Sequence, residues 1–207
     1  GTQIAIWRIR RNLPSSIYVM SADGCNLREL RTRLGLGRPA WSPDGTRIAF
    51  SDVPGKHSTE AYECLNCPSN YTEIYVMDAD GGNVRQLTDY SAGTYLGPAW
   101  SPDGTRITFV ESSRRGSHSY VMDADGGNVR QLTENMEAAD WGAYPAWSPD
   151  GTRIVFAGDD DIYVMDVDGG NVRRVTDDPG RDRAPAWSAD GTRIVFVRRP
   201  GIGWGDI

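Results

Sequence analysis

Residues 39–50, PAWSPDGTRIAF, return nearly unchanged at 98–109, 145–156 and 185–196, and no other feature limits the fold so tightly. A second stretch alternates with them. Residues 74–88 read IYVMDADGGNVRQLT, with relatives at 119–133 and 162–176 and a worn copy at 17–30. A chain of this kind folds as a row of equivalent units, each covered by its neighbours because none can bury its apolar faces alone. Fold is read from what repeats, and function from what departs from the repeat.

Both stretches spell hairpins. In Trp41-Ser42-Pro43-Asp44-Gly45, Pro and Asp occupy the middle of a tight turn and Gly the place where positive φ is wanted, ahead of the strand Arg47-Ile48-Ala49-Phe50. Ile74-Tyr75-Val76-Met77 is β-branched and aromatic, Asp80-Gly81-Gly82-Asn83 is turn chemistry, and Val84-Arg85-Gln86-Leu87 alternates apolar with polar. Each unit therefore offers four strands: A (Pro-Ala-Trp), B (Arg-Ile-x-Phe), C (Ile-Tyr-Val-Met) and D (Val-Arg-x-Leu). Successive PAWS motifs lie 59, 47 and 40 residues apart, the spacing of propeller blades. The predicted fold is all-β, a β-propeller of four-stranded antiparallel blades with three complete and two partial. The predicted divisions are 1–38 (partial), 39–97, 98–144 and 145–184 (complete), and 185–207 (partial). A β-sandwich would not need so exact a period. Strands B and C are apolar almost throughout, as strands covered on both faces are. All four Phe, at 50, 109, 156 and 196, share one strand-B position and are read as core, as are Trp41, Trp100, Trp147 and Trp187.

WSPDGTRIAF followed by IYVMDADGGNVRQLT resembles the PD40 (WD40-like) repeat of the TolB-like β-propellers, a repeat also found in the propeller domains of some peptidases. The resemblance covers essentially the whole chain. It departs locally: Ala189 replaces the turn Pro, Ser21 and Cys25 replace Asp and Gly in the first copy, and Ser119 replaces the strand-C Ile. What the resemblance implies about activity is broad, since such propellers act as docking platforms, peptidase gates and, occasionally, lyases. It also implies export, to the periplasm or outside the cell.

In antiparallel A to D blades the A–B and C–D turns share one rim, and the B–C and D–A connections the other. The first rim is near-identical SPDG and DADGGN turns, whereas the second takes every change of length, the place where rigid scaffolds carry binding residues. Off-repeat aromatics gather there: Tyr62, Tyr71, Tyr90, Tyr95, Trp141, Tyr144 and, near the C-terminus, Trp204. With His57, His118, Arg114, Arg115, Glu137, Asp140, Arg181 and Arg183 they suit a protein, peptide or glycan. The ligand-binding candidates are Tyr95, His118, Trp141, Tyr144, Arg181, Arg183 and Trp204.

The D-x-D pairs at 78/80, 123/125 and 166/168 have an acid twelve positions on, but strand D intervenes. At roughly 3.3 Å per residue that strand carries the acid about 17 Å away instead of folding it back as a calcium loop does. Turn formation is the better account, and no metal or cofactor is expected. Cys64 and Cys67 form a C-x-x-C in the long 51–73 connection, suited to a local disulfide if the protein is exported; zinc or free thiols are the other readings. Catalytic motifs are missing: no G-x-S-x-G, no H-E-x-x-H, no phosphate loop, and two His in separate units. The best enzymatic alternative is a polyuronate lyase of the TolB-like type, which would gather several His.

The formal charge of −6 argues against nucleic acid or an anionic membrane as partner, although residues 1–38 carry about +5 and the remainder about −11. No apolar run approaches the roughly 20 residues of a membrane span and no signal peptide is seen, so a mature or trimmed product is expected. Residues 1–7 match GTRIAF from its Gly, and residues 185–197 supply strands A and B of a further blade. Apolar edges are expected along Ile4, Ile6, Ile194 and Phe196, covered by additional chain from a longer parent or a neighbouring subunit. The favoured function is a non-catalytic module binding protein or peptide; a self-assembling subunit, a homo-oligomer joined by strand exchange at its terminal blades, is the second alternative.

Overall fold

The computed structural model describes residues 3–10, 13–34, 38–54, 71–89, 93–113, 116–133 and 144–200, and every regular element among them is a strand. The first sheet has three strands, β1 (Gln3–Arg10), β2 (Leu13–Ser21) and β3 (Arg28–Leu34). Three four-stranded sheets follow: β4 (Ala40–Trp41), β5 (Arg47–Asp52), β6 (Glu73–Asp78) and β7 (Arg85–Gln86); β8 (Thr94–Trp100), β9 (Arg106–Ser113), β10 (Gly116–Asp123) and β11 (Arg130–Gln131); β12 (Ala146–Trp147), β13 (Arg153–Gly158), β14 (Asp161–Asp166) and β15 (Arg173–Arg174). The last sheet pairs β16 (Gly180–Trp187) with β17 (Ile194–Pro200). Neighbouring strands are antiparallel and in sequence order, the blade of a β-propeller.

The register repeats with the sequence. Phe50 faces Tyr75, Phe109 faces Tyr120 and Phe156 faces Tyr163, and the three ring pairs stack at 5.8, 5.5 and 5.6 Å between centroids. Side chains alternate along strand B, so one face meets the preceding blade and the other the next. Ile48, Phe50 and Met77 pack on Ile17 and Val19, while Ala49, Ile74 and Val76 pack on Ile107, Phe109 and Met122. Val121 and Leu132 pack on Ile154, Phe156 and Met165, and Val155 and Val164 on Ile194 and Phe196. Phe50, Phe109 and Phe156 are buried, as are Trp100 and Trp147, whereas Trp41, Trp187 and Phe196 are partly exposed.

This alternation corrects one expectation. Ile194 and Phe196 point back onto the fourth sheet and are half-buried; the open side chains of β17 are Val195 and Val197, 67% and 56% exposed. At β1, Ile4 is 40% exposed and Ile6 partly buried.

The repeat's Arg and Gly residues join blade to blade. The guanidiniums of Arg47, Arg106 and Arg153 lie 4.6, 5.0 and 4.8 Å from the ring centroids of Trp100, Trp147 and Trp187 in the next blade, contacts worth about 0.5–1 kcal/mol each where exposed. From strand D, Nη1 of Arg28, Arg85 and Arg130 donates to the backbone carbonyls of Asp80, Asp125 and Asp168, at 3.0, 2.9 and 2.5 Å. Gly126, at φ 93°, lies so close to the previous blade that a Cβ there would fall 2.8 Å from the Leu87 carbonyl oxygen.

Candidate functional site

One rim is occupied by its own hydrogen bonds. In the A–B turn, Ser42 Oγ donates to Asp44 Oδ1 at 2.5 Å, and that oxygen also accepts from Thr46 N at 3.0 Å. Ser101/Asp103, Ser148/Asp150 and Ser188/Asp190 repeat the geometry, the last without the turn Pro. These bonds favour the carboxylate and hold the four Asp at about 2, the Ser hydroxyl contributing most. In the C–D turn, Asn83 Nδ2 donates to Asp78 Oδ2 at 2.6 Å and Gly82 N to Asp80 Oδ1 at 2.8 Å. The D-x-D carboxylates therefore close their own turns. Even the worn first copy keeps the design, with Asn26 Nδ2 donating to Ser21 Oγ at 3.2 Å. Ala79, Ala124 and Val167 donate backbone N–H groups to Thr46, Thr105 and Thr152, tying the two turns of each blade together.

On the opposite rim only the threonines repeat, Thr88, Thr133 and Thr176 Oγ1 each accepting at 2.9 Å from the backbone N–H of Ile74, Ser119 and Ile162, while the connections differ in length and sequence. Thr88 and Thr176 hydroxyls bond the buried acids Glu73 and Asp161 at the start of strand C; His118 stands at the same position in the third sheet. Its Nδ1 is buried without a hydrogen-bond partner among the described residues. Tyr71 donates its hydroxyl to Glu73, and burial, then this bond, pushes its pKa up. Asp182, fully buried, takes a bidentate pair from Arg198 (2.8 and 2.7 Å), which holds its pKa down.

The sequence candidates divide three ways. Tyr95 is 5% exposed and sits edge-on to Phe109 at 5.7 Å, because strand A of this blade is seven residues long and draws Tyr95 inside; burial and then Glu111 raise its pKa. Arg181 and Arg183 converge on Asp160, at 3.6 and 3.9 Å. Asp160 and Asp159, at φ 65° and 45°, form the two-residue turn between β13 and β14 that aims it there. Tyr144 is partly exposed and takes the guanidinium of Arg38 over its ring at 4.9 Å. Trp141, Trp204, Cys64 and Cys67 lie outside the described residues, as do Tyr62, Tyr90, His57, Arg114, Arg115, Glu137 and Asp140.

No motif marks Arg38 or Gly97 in the sequence, although they and Tyr144 each stand just before a PAWS motif. The A strands are innermost: β8 lies beside β4 and β12, while the D strands β7, β11 and β15 are exposed at the outside. Arg38 of the second sheet thus meets Tyr144 of the fourth across Gly97 of the third, on the inner, strand-A side of the blades.

Four-stranded antiparallel blades stacked face to face, one rim locked and the other variable, define a β-propeller scaffold. Residues 61–201 match the TolB beta propeller domain, PD40, and the chain belongs to that family. It is 36% identical over 130 residues to a protein TolB homolog of Chlorobium luteolum, covering 49% of this chain and 29% of that one. It is 37% identical over 79 residues to an uncharacterized peptidase, YuxL, of Bacillus subtilis, covering 38% of this chain and 10% of the relative. The structure of TolB from Acinetobacter baumannii superposes with a TM-score of 0.77 at 26% identity, covering 98% of this chain and 48% of that one. The matched stretch is thus less than half the length of each of these proteins.

Proposed function

We propose that this chain is a non-catalytic propeller module, exported to the periplasm or beyond the cell, that presents its variable rim to a protein or peptide. The observation that carries this reading is the asymmetry of the rims. The turn rim commits its carboxylates and hydroxyls to internal bonds, while the loop rim sets Tyr144 and Arg38 on the inner side of the blades and Arg181 and Arg183 beside the adjacent B–C turn. Aromatic and Arg side chains on a rigid frame are the residues on which interface energy concentrates. The TolB relatives favour an interaction module, and the likeness to the peptidase is confined to 79 residues. No helix among the described residues is long and apolar enough to cross a membrane.

The test is a peptide selected on the folded protein from a displayed random library, with its Kd measured against rim variants (Tyr144→Ala, Arg181→Glu) and a turn variant (Asp125→Ala). Rim variants are expected to weaken binding by about tenfold or more, roughly 1.4 kcal/mol, and the turn variant to leave it unchanged. The reverse pattern would overturn the assignment.

A further inference from the structure

Residues 38, 97 and 144 hold the same place in successive copies of the repeat, immediately before the PAWS motif, yet they are Arg, Gly and Tyr. Their differences fit one another. Gly97 stands at φ 60°, and a Cβ on it would fall 2.0 Å from Tyr144 Cδ1, so the ring occupies the space that only glycine leaves. Arg38 lies over that ring at 4.9 Å and is itself exposed. Among the described residues its guanidinium has no ion pair or hydrogen bond, unlike Arg181, Arg183 and Arg198, which are held by Asp160, Asp178 and Asp182. A guanidinium held over an aromatic face has its position restricted while its N–H donors remain available, and its planar fork can hold a carboxylate through two parallel hydrogen bonds.

We propose that the Gly97–Tyr144–Arg38 cluster is a carboxylate-binding subsite on the inner, strand-A side of the blades, engaging an acidic side chain or the C-terminal carboxylate of a peptide. This rests on the reading of the loop rim as a docking surface. In a chain of net charge −6 a single negative charge meets less repulsion than a dianionic phosphate does, which favours a carboxylate.

The test uses three acetylated tripeptides titrated into the 207-residue protein and followed by NMR: Ala-Glu-Ala amide, Ala-Ala-Ala free acid, and Ala-Ala-Ala amide. Either carboxylate peptide is expected to bind about tenfold tighter than the neutral amide; the first winning points to a side chain, the second to a C-terminus. Arg38→Ala should abolish that preference and Arg38→Lys reduce it, since Lys keeps the charge but loses the planar fork. Arg193→Ala removes an equal charge from the turn rim and should change nothing. A thermal melt shows that each variant is folded, and Arg38→Lys serves if Arg38→Ala is not. Equal loss in Arg38→Ala and Arg193→Ala, or no preference for a carboxylate, overturns the subsite. The library-selected peptide judges the rim separately, because its binding need not involve Arg38.

Discussion

Truncating Phe109 to Ala tests the blade packing where it is densest. The ring is fully buried at the contact between the second and third sheets, among Ala49, Val76, Trp100 and Ile107. It stacks on Tyr120 at 5.5 Å and meets the edge of Tyr95 at 5.7 Å. Removing a buried Phe costs about 3–5 kcal/mol, through lost transfer energy and the cavity left behind. Aromatic pairs are worth about 0.5–1.5 kcal/mol each beyond burial, and Phe109 makes two, which places the cost at about 4–5 kcal/mol. In a chain of this length that lowers Tm by roughly 8–20 °C, at about 2–4 °C per kcal/mol. Phe109→Leu restores most of the volume and should cost about 1.5 kcal/mol. Phe196→Ala, at the same repeat position but half-exposed, should fall between the two. Urea denaturation reads these values directly, provided that the slope m is unchanged. A Phe109→Ala loss under about 1 kcal/mol, or one no larger than that of Phe196→Ala, would refute the face-to-face stacking.

Gly126→Ala should destabilise more than Gly24→Ala: both add a Cβ at positive φ, but only at 126 does that atom collide with the preceding blade, while at 24 nothing lies within 4 Å. Equal losses in urea would mean that the glycine serves its turn alone. The four A–B turn carboxylates are held at about 2 against an ordinary 3.8. A depressed folded pKa contributes stability that is fully present above the unfolded value and lost as pH falls through the folded one, so Tm should drop between about pH 4 and 2. Asp103→Asn should flatten that slope, and an identical slope in the variant would remove the hydrogen-bonded turns as its source.

The fold was legible because each blade repeats both its turn chemistry and its strand parity. Arg-Ile-x-Phe and Ile-Tyr-Val-Met gave strand, register and core at once, and the Asp-Gly pairs gave the rim. The site was legible only as a set of loops. Tyr95 resembles a loop aromatic in the sequence, but β8 starts at Thr94, and both Tyr95 and Leu96 are buried between the blades. The Tyr95-Leu96 pair was the available signal. Arg38 was missed for the opposite reason: a lone Arg before a Pro carries no motif, and its contact with Tyr144, 106 positions on, comes from the side-by-side placing of the inner A strands. The exposed valines of β17 follow from counting alternate residues along the strand from Ile194 and Phe196, which face the fourth sheet.

The claim that one rim is structural and the other a docking surface is tested most directly by hydrogen exchange on the complex with the library-selected peptide. Protection is expected at residues 93–97, 116–118, 158–162 and 180–184, on the loop rim and the inner side of the blades, with exchange at the turn residues 42–46, 78–83, 123–128 and 166–171 unchanged. Protection confined to those turns would contradict it.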